Sequence, residues 1–173
     1  MDYEKYIGVT EDFPKKGISF KDVSPLLADG EAFHSVINDM SEIVKEWKPD
    51  VIIGPESRGF LFGVPVAYNL GIGFIMARKK GKLPGKVYSK TYTLEYNTTT
   101  IELPACALKK GMRVVLVDDL LATGGTLNAV RELVEEQGAV VVGVTTLIEL
   151  GDLQGRDLFK DVPYKSIMNL LGA

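Results

Sequence analysis

Short apolar segments that suit buried strands alternate along this chain with amphipathic helices, and this alternation constrains the fold more than any other feature. Arg113 to Val117 and Val140 to Leu147 are strand candidates, and Thr126 to Gln137 between them has its apolar residues at helical spacing. Two strands joined through a helix pair in parallel with a right-handed crossover. The sequence therefore predicts an α/β fold, with a mainly parallel twisted sheet and helices on both faces.

The N-terminal half repeats the same alternation. Phe33 to Trp47 has an apolar stripe at three-and-four spacing, which predicts a helix, and Val51 to Ile53 predicts a short buried strand after it. Gly59 to Leu70 is apolar nearly all round, as in a helix packed under other elements, and Gly71 is placed to cap its end. Gly73 to Ala77 predicts the next strand.

Size and composition indicate one ordinary globular domain spanning residues 1–173. The chain is 46% hydrophobic and 25% charged, which suits a single core. Its net charge of −3 argues against a general nucleic-acid surface, and no apolar stretch approaches the roughly 20 residues that span a bilayer. One cysteine, Cys106, and no recognisable signal peptide make the cytoplasm the expected location.

Lys79 to Leu103 interrupts the alternation, because it is rich in Lys, Gly, Thr and Tyr and lacks a long apolar run. We interpret it as a mobile segment that projects from the α/β core. Thr91 to Glu95 and Thr99 to Leu103 could pair as a hairpin across Asn97, although an isolated hairpin is only marginally stable.

The segment that follows the central strand carries the clearest chemical signal. It reads Asp118-Asp119-Leu120-Leu121-Ala122-Thr123-Gly124-Gly125-Thr126. Glycines let backbone N–H groups approach an anion, the threonines add hydroxyl donors, and the next helix presents unpaired N-terminal N–H groups. Carboxylates would repel that anion but accept hydrogen bonds from sugar hydroxyls. The segment therefore indicates a phosphate monoester with a hydroxyl-bearing neighbour, the plainer alternative being a capped turn with solvated acids.

The spacing of this segment excludes two common nucleotide sites. No lysine follows the second glycine, so it is not the phosphate loop of nucleotide triphosphatases. The acids precede the glycines, whereas in the dinucleotide-binding turn an acid follows about 20 residues later.

Val114 to Thr126 resembles the phosphoribosyl pyrophosphate signature of the type I phosphoribosyltransferases, in the form typical of the adenine-specific members. Three further segments share that resemblance, and together they cover nearly the whole chain. They are Phe20 to Pro25, Ser57 to Gly63, and Arg78 to Gly85 with Leu94-Glu95-Tyr96.

The resemblance implies transfer of the 5-phosphoribosyl group from 5-phosphoribosyl 1-pyrophosphate to adenine, giving AMP and diphosphate in purine salvage. It also implies a parallel sheet core, an N-terminal hood over residues 1–30, a flexible lid over residues 79–103, and a homodimer. The implied cofactor is Mg²⁺, held mainly by substrate and water with no direct protein ligand.

The same resemblance assigns the binding roles. Asp118 and Asp119 would hold the ribose hydroxyls and support the positive sugar, although a strand running through both would turn only one to the ligand. Arg58, Arg78 and Lys79 would bind the diphosphate. The 5-phosphate would lie on Ala122, Thr123, Gly124, Gly125 and Thr126.

A second group of residues would hold the base and manage one purine proton. Phe20 and Leu120 are expected against the purine faces, with specificity from backbone groups near Lys21. Glu95 is the candidate proton carrier, because the lid would bring its carboxylate over the purine, and Tyr96 could stabilise the closed lid.

Two other functions remain open at the level of sequence. The chain could use hypoxanthine or xanthine with the same sugar phosphate, although the lid and hood segments favour adenine. It could instead be a non-catalytic phosphoribosyl pyrophosphate sensor. A sensor should lack the lid cations, whereas this chain keeps Arg58, Arg78, Lys79 and Glu95.

Overall fold

The structure is a computed structural model that describes residues 1–93 and 97–172. Its strands are β1 (Gly8–Thr10), β2 (Phe20–Asp22), β3 (Val51–Pro55), β4 (Gly73–Lys79), β5 (Val87–Thr93), β6 (Thr98–Pro104), β7 (Arg113–Leu121), β8 (Val140–Leu150) and β9 (Tyr164–Leu170). Its α-helices are α1 (Ser24–Ala28), α2 (Gly30–Glu46), α3 (Arg58–Leu70) and α4 (Gly125–Glu136). Short 3-10 turns lie at Tyr3–Tyr6, Gly151–Leu153 and Gly155–Phe159.

Seven strands form the central sheet, in the order β5-β6-β4-β3-β7-β8-β9. The five from β4 to β9 in this order pair in parallel, whereas β6 pairs antiparallel with both β4 and β5. The α/β fold with a mainly parallel sheet is therefore confirmed. Because parallel neighbours end at one edge, β3, β4 and β7 deliver the residues after them to the same crevice.

Alternate side chains of β7 enter two separate apolar layers. Val115 and Val117 join the cluster under α2 and α3, whereas Val114 and Leu116 join the cluster under α4. This two-sided burial explains the continuous apolar run at Val114–Val117, since a strand covered by helices on both faces needs no polar alternation. Helices on both faces are confirmed.

The predicted helices are present with small shifts at their ends. Asp29 caps α2 by accepting a hydrogen bond from Ala32 N at 2.9 Å. Gly71 ends α3 in the left-handed conformation with φ 65°, as its position in the sequence predicted. No helix of residues 1–93 and 97–172 has the length and apolar character needed to span a bilayer.

The segment Lys79–Leu103 is more deeply built into the sheet than its composition indicated. Its hairpin is formed by β5 and β6, which pair from Val87↔Pro104 to Thr93↔Thr98. Ile101 and Leu103 of β6 are buried in the cluster under α4. The hairpin base is thus part of the core, because two well-spaced apolar residues suffice for a strand that is covered on one face.

The N-terminal segment forms a small separate layer. β1 and β2 pair antiparallel as a two-stranded sheet, with Thr10 opposite Phe20, and α1 follows directly. The Phe13 and Phe20 rings meet edge to face, with centroids 5.2 Å apart. The sequence pattern did not predict these strands, which are only three residues long.

Trp47 lies just beyond α2 and packs against β8. A Cβ atom at Gly143 would lie 2.1 Å from Trp47 Cε3, so only glycine fits beneath this indole. The Trp47 carbonyl accepts a hydrogen bond from Arg113 Nη2 at 2.7 Å, at the first residue of β7. Trp47 therefore lies at the amino ends of the strands.

Candidate active site

The glycine-rich turn closes a small concave site between β7 and α4. A cavity of about 140 Å³ is lined by Asp118 and by every residue from Leu120 to Leu127. Gly124 has φ +85° and precedes α4, which begins at Gly125 and directs its free N–H groups toward the cavity. The turn thus has the backbone geometry and the helix terminus that favour an anion.

A second chain segment supports this turn from behind. Gly155 lies so close that an added Cβ atom would be 2.2 Å from the Ala122 carbonyl oxygen and 3.0 Å from Gly124 N. A Cβ atom at Gly124 would in turn lie 2.9 Å from the Gly155 carbonyl oxygen. The turn is therefore held in one conformation by close backbone packing.

β7 continues through both acids, so Asp118 and Asp119 occupy different surroundings. Asp118 lines the cavity of the turn, and its Oδ1 accepts a hydrogen bond from Asp119 N at 2.8 Å. Asp119 Oδ2 lies 2.8 Å from Arg58 Nε, but no described residue donates a hydrogen bond in good geometry to that oxygen. Asp119 therefore forms a buried ion pair with Arg58, whereas Asp118 is the acid that lines the cavity.

Burial dominates the protonation of both carboxyl groups. It raises the pKa of Asp118 well above its ordinary value, and the neighbouring charge of Asp119 raises it further. Burial also raises the pKa of Asp119, but the Arg58 guanidinium opposes that shift. Asp119 is accordingly the member of the pair that holds the negative charge more readily.

Arg58 connects the acidic pair to the N-terminal layer. Its guanidinium carbon lies 5.2 Å from the centroid of the Phe20 ring, a cation–π contact. Its Nη1 makes a long hydrogen bond of 3.5 Å to the Lys21 carbonyl. Phe20, Lys21 and Arg58 are thereby brought together although they are far apart in the sequence.

These three residues line a cleft of about 520 Å³, a size suited to a small ligand. Leu120, Ala122 and Thr123 line both this cleft and the cavity of the turn, so the cleft opens directly onto the glycine-rich turn. Its remaining lining residues are Lys15, Gly17, Ile18, Ser19, Asn97, Leu150, Asp152, Leu153 and Gly172.

Glu56, which follows β3, organises the cations at the end of β4. Its Oε1 accepts hydrogen bonds from Lys79 N at 2.7 Å and from Arg78 Nε at 3.2 Å. Arg78 and Lys79 end β4, which lies next to β3, and Arg58 begins α3 shortly after β3. Glu102 acts further along this segment, accepting from Gly81 N and from Ser89 Oγ, each at 3.1 Å.

Glu95 and Tyr96 lie outside the described residues, so their predicted roles stay predictions. The other predicted site residues lie in β2, at the start of α3, at the end of β4, and in the continuous stretch from the end of β7 through the turn to the first residues of α4.

Sequence reasoning missed Glu56, Glu102, Gly155 and Tyr92 as residues that hold the site together. Tyr92 of β5 hydrogen-bonds Thr126 Oγ1 at 2.9 Å. Only the alternation of Tyr88, Lys90 and Tyr92 could have indicated a face turned toward another element.

Among residues 1–93 and 97–172, no three or more His, Cys, Asp or Glu side chains are grouped as a metal would require. Two adjacent carboxylates, one of them paired with Arg58, offer few oxygen ligands for a divalent cation. Such a site suits an ion like Mg²⁺ that keeps several waters and takes its other ligands from substrate phosphates.

Comparison with known proteins gives the family. Residues 23–170 match the phosphoribosyl transferase domain family. An adenine phosphoribosyltransferase from Desulfitobacterium hafniense is 57% identical over 156 residues, which cover 90% of each chain.

Solved structures agree with this relationship. The adenine phosphoribosyltransferase of Thermoanaerobacter pseudethanolicus superposes with a TM-score of 0.95 at 45% identity, covering 98% of each chain. The Saccharomyces cerevisiae enzyme, in complex with D-2,5-dideoxy-2,5-imino-altritol 1,6-bisphosphate and adenine, gives 0.89 at 36% identity over 96% of each chain. The predicted resemblance is confirmed: this chain belongs to the adenine phosphoribosyltransferase family.

Proposed function

We propose that this protein transfers the 5-phosphoribosyl group of 5-phosphoribosyl 1-pyrophosphate to adenine, with AMP and diphosphate as products. The observation that carries the proposal is that the cavity of the phosphate-type turn, which Asp118 lines, and the cleft lined by Phe20 and Lys21 share the residues Leu120, Ala122 and Thr123. Family membership and the adenine bound in the yeast relative support the choice of base.

The turn from Ala122 to Thr126 binds the 5-phosphate in this proposal. Its backbone N–H groups and the α4 terminus supply donors that are already oriented, so binding orders little of the protein. Asp118 lines the cavity of the turn and accepts hydrogen bonds from the ribose hydroxyls in this proposal. Asp119 lies next to it, paired with Arg58, and its negative charge supports the positive sugar.

The adenine ring lies in the cleft between Phe20 and Leu120, with hydrogen bonds to backbone groups near Lys21. Phe20 contacts Phe13 edge to face and Arg58 lies over its ring, so the ring is held before the base arrives. A purine in this position lies beside the sugar that the turn and the acids hold, which is the placement that transfer to C1 requires.

Arg58, Arg78 and Lys79 bind the diphosphate and neutralise its charge as the bond to the ribose C1 breaks. Glu56 prepares Arg78 and Lys79 by fixing one guanidinium nitrogen and one backbone nitrogen. Cationic donors form stronger hydrogen bonds than neutral ones, and they gain most at the moment the leaving group becomes charged. The transition state has positive charge at C1, which the neighbouring carboxylates stabilise.

Mg²⁺ would be held mainly by substrate and water near Asp118 and Asp119, and it would supply positive charge that favours departure of the diphosphate. Glu95 accepts the proton that the adenine ring nitrogen loses as it bonds to the ribose C1, and Tyr96 stabilises the closed lid of residues 79–103. A homodimer and a cytoplasmic location complete the proposal, the former supported by the apolar face of α3 at Leu61, Val64 and Tyr68.

Absorbance assays with the purified protein, Mg²⁺ and 5-phosphoribosyl 1-pyrophosphate test the proposal when adenine, hypoxanthine, guanine and xanthine are offered in turn. We expect turnover with adenine and at least 10²-fold lower kcat/KM with the other bases, because buried polar groups that lack partners reject the wrong base. An Asp119→Asn variant is the matched control for background activity. Absence of turnover with adenine would refute the proposal.

A further inference from the structure

Tyr92 touches the phosphate turn from the hairpin. Its hydroxyl lies 2.9 Å from Thr126 Oγ1, across 34 positions of sequence, and the hydrogen of either oxygen can form the bond. The Tyr92 ring is half-buried against the apolar cluster under α4. We infer that Tyr92 is a positioning residue for the 5-phosphate, because its hydroxyl fixes the direction in which Thr126 donates.

The inference rests on the proposed function, in which Thr126 is part of the phosphate site, and on the donor count of a hydroxyl. A threonine hydroxyl has one hydrogen and two lone pairs. An ionised phosphate oxygen only accepts, so Thr126 must donate its one hydrogen to the phosphate. Its bond with Tyr92 can then persist only if the Tyr92 hydroxyl is the donor.

The resulting chain runs from the Tyr92 hydroxyl to the Thr126 hydroxyl to the phosphate. Each bond in such a chain polarises the next, so the Thr126 hydroxyl becomes a better donor than it would be alone. Phenylalanine at position 92 would keep the ring contacts but remove the hydroxyl that donates to Thr126. Thr126 would still reach the phosphate, with a weaker bond.

Contacts between β5 and α4 already hold the Tyr92 hydroxyl near Thr126, so the hydrogen bond between them costs little conformational entropy. On the same face of β5, Lys90 Nζ lies 2.7 Å from Glu132 Oε2 and 3.5 Å from Glu136 Oε1, both on α4. These ion pairs are partly exposed and contribute little energy singly, but they fix the register of β5 on α4. Tyr92 is two residues beyond Lys90 and therefore faces the first turn of α4.

Calorimetric titration of AMP, adenine and diphosphate into matched variants tests the inference. Tyr92→Phe should weaken AMP binding about two- to fourfold, because Thr126 keeps its bond to the phosphate but loses the polarisation that Tyr92 supplies. Diphosphate and adenine, which lack the 5-phosphate, should bind to it as they do to the original protein. Tyr88→Phe is the control, because Tyr88 lies on the same strand and is 42% exposed.

A Thr126→Ala variant distinguishes the proposed chain of hydrogen bonds from a role of the Tyr92 ring in packing. Without the Thr126 hydroxyl, Tyr92→Phe should cause no further loss of AMP affinity, because the chain is already broken. An equal loss in both backgrounds would overturn the inference, as would unchanged AMP affinity in Tyr92→Phe. If the original protein itself neither binds AMP nor uses adenine, the proposed function fails instead, and the two failures are thus distinct.

Discussion

Burial of the two adjacent aspartates affects ligand binding and protein stability in opposite directions. A buried carboxylate interacts more strongly with a ligand, but its loss of hydration destabilises the folded protein. Asp118 is 9% exposed and Asp119 is 5% exposed, and burial raises the pKa of each. A carboxyl group with a raised pKa stabilises the folded protein most below the ordinary carboxyl pKa of about 4. That stability is lost as pH rises toward the folded-state value, because the unfolded chain ionises first.

Asp118→Asn should therefore stabilise the protein without ligand. The amide keeps an oxygen to accept from Asp119 N and removes the charge that burial disfavours. We expect a gain of about 1–2 kcal/mol at neutral pH, or roughly 3–6 °C in Tm, shrinking as the pH falls toward 4. Thermal unfolding from pH 4 to 8 measures it. Equal pH dependence of Tm in the two proteins would show that the buried charge of Asp118 does not destabilise the fold.

Glu95→Gln tests the proton carrier. If the lid carboxylate moves the purine proton, kcat should fall by roughly 10²- to 10⁴-fold, the usual contribution of a general acid or base. The affinity for 5-phosphoribosyl 1-pyrophosphate should change much less. Steady-state kinetics provides both values, with the exposed Glu31→Gln as control. An unchanged kcat would remove Glu95 from the reaction.

At the scale of elements, the phosphate turn depends on the 3-10 turn Gly155–Phe159 as much as on its own glycines. Gly155→Ala would place a Cβ atom 2.2 Å from the Ala122 carbonyl and force one segment to move. We expect a loss of about 1–3 kcal/mol in the free energy of unfolding and about tenfold weaker AMP binding. Denaturant unfolding and calorimetry measure these.

The matched control for Gly155→Ala is Gly30→Ala, because an added Cβ atom at Gly30 meets no atom within 4 Å. It should leave AMP affinity as it is. If both variants bind AMP like the original protein, the turn tolerates displacement and its shape is not set by Gly155.

The base of the hairpin depends on Glu102 of β6. Its buried carboxylate holds Gly81 N and Ser89 Oγ, and so shapes the segment that carries Lys79, Lys80 and Lys82. Glu102→Ala should raise the KM for 5-phosphoribosyl 1-pyrophosphate about tenfold, because the segment that carries the three lysines loses its hydrogen bonds to Glu102. The KM for adenine should stay unchanged, because the base is bound elsewhere. Glu102→Gln should restore the KM, since an amide can accept from Gly81 and donate to Ser89. Failure of Gln to rescue would indicate that the charge itself is required.

At the scale of the whole molecule, the sequence predicted the elements whose burial is decided locally. β7 and α4 carry their periodicity in consecutive residues, and Leu127, Val130, Leu133 and Val134 are all buried as predicted. The sequence also indicated Asp118, Asp119, the glycine-rich turn and Arg58, because their residue types and order are rare outside binding sites.

The remaining parts depend on contacts between distant segments. β6 is buried because it joins β4, Gly155 is required because the turn lies against it, and Tyr92 matters because β5 packs on α4. None of these follows from a pattern within one segment, since the deciding neighbour is 20 or more residues away.

The α3 helix has an exposed apolar face, which bears on the proposed homodimer. Leu61, Val64 and Tyr68 recur at helical spacing with 41%, 47% and 85% of their surface exposed. If this face is the homodimer interface, Val64→Glu should weaken dimerisation at least tenfold, because it buries an unpaired charge. Light scattering across a dilution series measures this, with the similarly exposed Val140→Glu as control. A monomeric original protein, or a Val64→Glu dimer of unchanged strength, would contradict it.

Trp47 is the chain's only tryptophan, and it lies on Gly143 at the amino ends of the strands, across the sheet from the crevice. Its emission should therefore follow the loss of the packed core on denaturation and change little when AMP enters. Trp47 fluorescence therefore reports folding and responds little to ligand binding. A variant such as Asp118→Asn can be followed by this one signal for stability, while occupancy of the site is followed separately.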